Sequence, residues 1–462
     1  MTNTLPSTAS QARESAVGQR RPKRSAMNLG MGLLTPLLGN EFLDRHNLRG
    51  PLNRALKFGV KHGFSAAGAS TRQFKKIQAT GKKATRLERG TAGYFDLTPD
   101  DDQKMIVETV KEFAEEILRP AARDADDAAA YPTGLIAKAA ELGITAIKVP
   151  EIFDGIAEQR TTVTNALVAE ALSYGDMGLA LPILAPGGVA SALTHWGSAD
   201  QQATYLSDFA GENVPQACLA IAEPHPLFDP TMLKTTAVRT PSGYRLDGVK
   251  SLVPAAADAE LLVVAAQLNG KPSLFIVESS TVGLSVHADR SMGLRAAALG
   301  RIELDKVSVP LSARLGEDDA SDADYARDYS EAIALSRLGW AALAVGTSHA
   351  VLDYVIPYVK EREAFGEPIA HRQAVAFMCA NIAIELDGLR LITWRGAARA
   401  DQGLPFAREA ALARKLGTDK GMQIGLDGVQ LLGGHGFTKE HPVERWYRDL
   451  RAIGVAEGVV VL

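Results

Sequence analysis

Cysteine is scarce in this chain. Cys218 and Cys379 are the only two in 462 residues, far apart in sequence. They can form neither a disulfide framework nor a metal-spaced cluster, which fits a reducing compartment and reads both as buried, inert thiols. His435 and His441 lack a spaced ligand partner and read as packing or loop residues, so no metal site is expected. No run approaches the ~20 apolar residues that a bilayer span needs. No glycine-rich dinucleotide fingerprint follows a strand. Acidic residues are nearly missing from the first ninety positions, which hold 4 Asp and Glu against 17 Lys and Arg. The rest of the chain carries 50 against 33, so the net charge of −4 hides a basic appendage on an acidic body. That appendage shows no recognition motif and no aromatic stacking set, which argues against nucleic acid as a partner.

What is present falls into four stretches. Residues 1–90 form a basic extension. Met1 to Lys23 is polar and reads as disordered. Residues 27–74 are amphipathic, with Leu33, Leu34, Leu37, Leu38, Phe42, Leu43, Leu52, Leu56, Phe58 and Val60 among interleaved Lys and Arg. Three readings stand: a helix on the protein's own surface or on a sister subunit, peripheral contact with an anionic membrane, or an Arg-rich targeting peptide. Residues 91–216 read as helices, beginning at Thr98-Pro99-Asp100-Asp101 and carrying Ile106, Val107, Val110, Phe113, Ile117 and Leu118 at helical spacing. Pro120 does not end that element. Gly143 is a stop, a helix runs near Thr164 to Tyr174, and the Pro182, Pro186 and Gly187 region reads as a turn.

Residues 217–322 change character. Thr235–Val238, Tyr244–Val249, Leu261–Ala266, Ser273–Val277 and Arg301–Val309 are short β-prone runs, with Pro241-Ser242-Gly243 and Asn269-Gly270 as turns between them. They predict an antiparallel β domain. Residues 323–462 return to long helical patterns over 335–362, 373–400 and 406–432. The order of helices, strands, helices implies an α+β protein with a β domain between two helical ones.

Three segments then carry a likeness. They are Tyr358-Val359-Lys360-Glu361-Arg362-Glu363-Ala364-Phe365-Gly366-Glu367-Pro368-Ile369 followed by Gln373, Gln430-Leu431-Leu432-Gly433-Gly434-His435-Gly436-Phe437, and His441-Pro442-Val443-Glu444-Arg445-Trp446-Tyr447-Arg448-Asp449 closing with Ala456-Glu457-Gly458. In this order and spacing they resemble the acyl-CoA dehydrogenases over roughly residues 95–462. Ala222-Glu223-Pro224 and Asp247-Gly248-Val249-Lys250 match the family's middle domain more loosely. The resemblance implies an N-terminal helical domain, a middle antiparallel β-barrel domain, a C-terminal four-helix bundle and FAD as cofactor. It implies α,β-dehydrogenation of an acyl-CoA thioester, with Glu457 as the base for the α-proton and the flavin N5 taking the β-hydride.

The same resemblance assigns further roles. Arg362, Phe365 and Gln373 fall on positions that meet the FAD pyrophosphate and adenosine across a subunit boundary, and Gln430, Gly433 and Gly434 on a loop approaching the same cofactor. Arg337, an ion-pair former by type, and Gly458 fall on the substrate side. Electron-transfer flavoprotein or a similar acceptor, and assembly as a homodimer, homotetramer or hetero-oligomer, are the implied partners. An alternative base on the long helix is excluded because Leu335 and Ser336 stand there. The sequence departs from the family at Ala222, where Thr is usual, at Leu252-Val253-Pro254 in place of Trp-Ile-Thr, at Ala334 and at Val459. These changes cluster on the side of the flavin ring and keep a second reading open, a weakly active or non-catalytic partner subunit; a flavin oxidase using dioxygen is a third. The expected location is the cytoplasm, with membrane association or an organelle matrix depending on residues 1–90.

Overall fold

The computed structural model describes residues 97–462 except 158, 159, 212 and 318. The basic extension 1–90 and its amphipathic stretch 27–74 lie outside the described residues.

The first helix, α1 (Asp101–Phe113), starts where Asp100 accepts from the Gln103 N–H at 2.8 Å and the Gln103 side chain accepts from the Asp100 N–H at 3.1 Å. That reciprocal cap satisfies two N–H groups a helix start would leave unpaired. A π-turn over Ala114–Leu118 leads into α2 (Arg119–Ala128), with Pro120 in its first turn, so proline does not interrupt the run. After α3 (Leu135–Glu141) come α4 (Thr162–Gly175), α5 (Met177–Trp196) and α6 (Ala199–Tyr205). The start of α4 is capped from another domain, because the Asp401 carboxylate accepts from the N–H groups of Thr162 and Val163 at 2.7 and 3.0 Å.

Two expectations fail at α5. Pro182, Pro186 and Gly187 are not a turn; they lie inside the helix. Proline at 186 removes the donor for the Pro182 carbonyl, and the Gln216 side-chain amide supplies one instead at 3.3 Å. At 20 residues and mean hydropathy 1.5, α5 is also long and apolar enough to cross a membrane, contrary to the reading of the sequence. Of its apolar 18-residue stretch 94% is buried inside the protein, which is how a central core helix reads.

The middle domain holds β1 (Ala217–Ala220), β2 (Thr236–Thr240), β3 (Gly243–Val253), β4 (Leu261–Leu268), β5 (Lys271–Glu278), β6 (Leu284–Ala288) and β7 (Gly300–Pro310). Their order is β1-β4-β2-β3-β7-β6, with β5 paired to β4. Asn269 and Gly270, at φ 52° and 76°, make the tight β4–β5 hairpin. Most pairings are antiparallel, but β4 runs parallel to both β1 and β2. The short strand β1, all apolar and buried, gave no alternation to betray it.

The C-terminal domain is built on α7 (Asp322–Glu361), forty residues long, which packs against α4, β5 and the helices that follow. These are α8 (Gln373–Asp401), α9 (Ala407–Leu416), α10 (Met422–Leu432) and α11 (Val443–Leu450). Buried ion pairs tie α11 to the other domains. Arg445 meets Asp176 at 2.9 Å, Arg448 meets Asp126 at 2.8 Å, and Asp449 accepts from the Leu294 N–H at 2.6 Å. Burial, then the neighbouring Asp176 carboxylate, raises the pKa of Asp449 well above the ordinary carboxylate range. Asp449 thus holds the β domain against α11 and fixes where residues 451–462 begin.

Candidate active site

Arg451–Gly454 make a short turn, and the chain then enters the junction of all three domains. Glu457 points into it with 7% exposure. Arg337, from the middle of α7, holds one carboxylate oxygen through Nη2 at 2.9 Å and Nε at 3.2 Å. Arg414, near the end of α9, reaches the same oxygen at 3.5 Å and donates to the Ala456 carbonyl at 2.6 Å. Burial lowers the pKa of Arg414, and the Glu457 carboxylate opposes that. The Gly458 carbonyl accepts from Ser336 Oγ at 2.6 Å and Trp340 Nε1 at 2.9 Å. At Gly458, φ is +79° and a Cβ would come within 2.9 Å of the Ile221 side chain, so glycine suits both the backbone and the space.

The β domain supplies the opposite wall. Beyond β1, Glu223 accepts from the Lys250 ammonium at 2.8 Å and from the N–H groups of Lys234 and Thr235 at 2.7 and 3.0 Å. Lys250 also donates to the Ile221 carbonyl at 3.2 Å. Burial would raise the Glu223 carboxyl, but the Lys250 ammonium and the two N–H groups outweigh it and hold it near 2. Tyr329 of α7 lies in the same region. Its phenol donates to the Pro230 carbonyl at 2.7 Å, and burial, with the Glu457 and Glu223 carboxylates, pushes its pKa far up. The corner is buried and charged, and its charged groups are largely committed to one another.

The other sequence-predicted residues gather elsewhere. Arg362, Phe365, Gln430, Gly433 and Gly434 line one open groove of ≈ 780 Å³ between the end of α7, the start of α8 and the end of α10. Gln373 is the first residue of α8, directly before Ala374 of the groove wall. Phe365 is 95% exposed, and a Cβ on Gly433 or Gly434 would meet nothing within 4 Å. Arg372, which the sequence reading missed, also lines the groove and stands 5.7 Å from the centre of the Phe365 ring. Two guanidiniums, an exposed ring and bare glycine backbone suit a diphosphate carrying a flat aromatic group.

Arg414 was missed too. Its signal was weak, because one arginine in the helical run Ala410-Ala411-Leu412-Ala413-Arg414-Lys415 reads as a solvated charge.

The patterns of the acyl-CoA dehydrogenase N-terminal, middle and C-terminal domains match residues 100–213, 218–307 and 327–459. A probable acyl-CoA dehydrogenase of Bacillus subtilis is 31% identical over 373 residues, covering 79% of this chain and 96% of its own. The chain belongs to the acyl-CoA dehydrogenase family. Among solved structures, the butyryl-CoA dehydrogenase of Megasphaera elsdenii superposes with a TM-score of 0.72 at 26% identity, covering 79% of this chain and 96% of that one. An FAD complex of PigA does so at 0.71 and 25% identity, covering 78% and 95%. The acyl-CoA dehydrogenase fold, with its helical, curled β and helical domains, is thus present from α1 to the end of the matched region. Members are oxidoreductases, and this chain is one of them.

Proposed function

We propose that this acyl-CoA dehydrogenase removes an α-proton from an acyl-CoA thioester with Glu457 and leaves the 2,3-enoyl product. The observation that carries the reading is Glu457 itself, a buried carboxylate at the junction of the three domains with its backbone fixed from both sides. Its acyl-CoA substrate enters from the side of Arg337 and of the exposed Asp229, whose carboxyl lies within the field of the Arg337 guanidinium. Arg337, with 30% of its side chain exposed, swings aside to uncover the carboxylate, and Arg414 keeps the base oriented through the Ala456 carbonyl. The proton moves from the α-carbon to a Glu457 oxygen, the kind of step a positioned carboxylate accelerates by roughly 10²–10⁴-fold.

FAD supplies the hydride acceptor when bound. Arg362, Arg372, Phe365, Gln430, Gly433 and Gly434 suit its adenosine diphosphate half, and the groove's open backbone leaves room for it. The ring half would meet a plainer wall. Ala222 and Pro254 carry no hydroxyl, and the Leu252 N–H is already given to Asp289 at 3.1 Å. Ring contacts would therefore be apolar or made by backbone. Electrons would leave to an electron-transfer flavoprotein or similar acceptor. Assembly as a dimer or tetramer would close the exposed groove, which supports the homo-oligomer over the isolated chain.

The departures at Ala222, Leu252 and Pro254 favour a second reading, a partner subunit with little activity of its own. An anaerobic absorbance spectrum of the full-length protein before and after a panel of acyl-CoAs separates the two. A flavin band that bleaches with a thioester in the wild type, and not in Glu457→Gln, supports the dehydrogenase. A protein that takes up no FAD, or whose flavin never bleaches, sinks it in favour of the partner subunit.

A further inference from the structure

Tyr358 lines the open groove, and so do Leu432, Gly433 and Gly434 at the end of α10. The Tyr358 phenol oxygen stands 3.3 Å from the Leu432 carbonyl, which can only accept, and 2.8 Å from His435 Nδ1. Its single proton cannot serve both contacts. Both are hydrogen bonds when His435 Nδ1–H donates to the phenol oxygen and the phenol O–H donates to the carbonyl, and this network assigns the His435 tautomer. The Leu432 carbonyl thereby gains a donor that the end of a helix does not supply. A second pair backs the first. One turn earlier on α7, the Tyr354 phenol meets His441 Nδ1 at 2.7 Å, and the His441 ring stacks on His435 at 5.5 Å between centres with 17° between planes. Tyr354 also packs edge to face with Trp446 of α11, which is fully buried. The loop is closed from its far end too, because the Thr438 N–H and hydroxyl both donate to the His435 carbonyl, at 3.1 and 2.9 Å.

We propose that Tyr358 and His435, with Tyr354 and His441 behind them, are positioning residues for the cofactor's diphosphate. Gly433 has a φ of +58°, which suits glycine, and a Cβ on Gly433 or Gly434 would meet nothing within 4 Å. Side-chain packing therefore cannot fix this stretch of backbone. The relay does so instead, by tying the carbonyl before Gly433 and the residue after Gly434 to one helix, α7. Arg362 follows directly on the end of that helix. The guanidinium and the glycine backbone are thus held in one frame, so that less ordering is left to be met when the cofactor binds. The inference rests on the groove as the site of the adenosine diphosphate half of FAD and adds the residues that shape it.

Fluorescence titration of the full-length apoprotein with FAD tests the relay. His435→Ala and Tyr358→Phe should each weaken FAD about fivefold, the scale of one neutral hydrogen bond. His435→Asn should stay within about twofold of the wild type, because its side-chain N–H falls where Nδ1–H stood. Rescue of that kind would not follow if only the bulk of the ring mattered. The double variant His435→Ala/Tyr358→Phe should lose little more than either single one, since groups acting as one unit are not additive. Folded single variants that bind FAD as tightly as the wild type would overturn the proposal. So would a His435→Asn protein as weak as His435→Ala, or losses that multiply in the double variant. Should Tyr358→Phe fail to fold, the comparison of Asn with Ala at the exposed position 435 decides alone. Arg362→Ala separates this from the reading beneath it. Unchanged FAD affinity there would sink the groove as the cofactor site, whereas a loss there beside intact binding in the relay variants would sink the relay alone.

Discussion

Two regions of the same molecule, the open groove and the Glu457 corner, are built on opposite principles. In the groove between α7, α8 and α10, bonding capacity is only partly spent, with Arg372 paired to Glu367 at 3.1 Å. Arg362 has no ion-pair partner among the described residues, Phe365 is almost fully exposed, and Gly433 and Gly434 leave backbone open. At the Glu457 corner the charged groups are mostly paired. Glu457 holds two arginines, Glu223 holds Lys250, the Gly458 carbonyl has two donors and the Leu252 N–H is given to Asp289. Unspent charge marks where something must be added, a ligand or another subunit. Spent charge marks a wall whose groups are already paired with one another, so that substrate must displace Arg337 to reach Glu457. The contrast explains how a pattern can be kept in one half and altered in the other: the groove needs its residue types, whereas the corner needs only its internal pairs.

The largest expected effect breaks the closed side. Glu457→Gln should lower the rate of flavin reduction by roughly 10²–10⁴-fold, the usual worth of a positioned base. Flavin content should stay unchanged, because the groove is untouched; stopped-flow absorbance reads both. Loss of cofactor in this variant would mean that the two regions are not separable.

Next is the pair beneath the same wall. Lys250→Met leaves the Glu223 carboxylate buried without its cation, a change that costs about 3–5 kcal/mol in comparable cases. Denaturant unfolding measures it. The acid limb of stability gives an independent sign. Glu223 is held near 2 in the folded protein against an ordinary value of 4.5, so its contribution is complete above about pH 4.5. It is lost as pH falls from there towards 2. In Lys250→Met that part of the acid slope should flatten; an unchanged slope would mean that the pair does not hold the wall.

In both regions legibility in the sequence rested on the resemblance. The groove residues were assigned through the resemblance carried by two contiguous runs, 358–373 and 430–437; taken alone, Arg362 reads as a solvated helix end and Gly433-Gly434 as a helix stop. Glu457 was readable only through the resemblance, since a lone Glu before Gly is otherwise one surface carboxylate among many. Lys250 and Arg414 gain their meaning from partners 27 and 42 positions away, a relation no local pattern carries. At α5, Pro182, Pro186 and Gly187 argued for a turn. A tertiary hydrogen bond from Gln216 and complete burial overrode that local preference. Strands β1 and β6 were missed for opposite reasons, one being wholly apolar and the other mostly exposed. The parallel β4 pairings depend on chain crossings that residue alternation does not encode.

On the open side the effects are smaller and fall on binding. Arg362→Ala should weaken FAD by roughly ten- to a hundredfold, since a hydrogen bond from a charged donor is worth about 1.5–3 kcal/mol. Fluorescence titration of the apoprotein reads it, and the rate of bleaching at saturating FAD should change little. A drop in rate with unchanged affinity would reverse the assignment of the two regions.

The smallest effect sharpens the contrast at the ring wall. Pro254→Thr restores both a hydroxyl and a backbone N–H at the one position where the wall can offer neither, since proline has no N–H and the neighbouring Leu252 N–H is committed. A neutral hydrogen bond contributes about 1 kcal/mol, so FAD should bind about fivefold more tightly. If the ring lies against this wall, the flavin absorbance maximum should shift as well, because the new donor meets the ring and not the adenosine. Tighter binding without a spectral shift would place the gain in the backbone of β3 instead, and the plain wall would then be a feature of folding rather than of flavin contact.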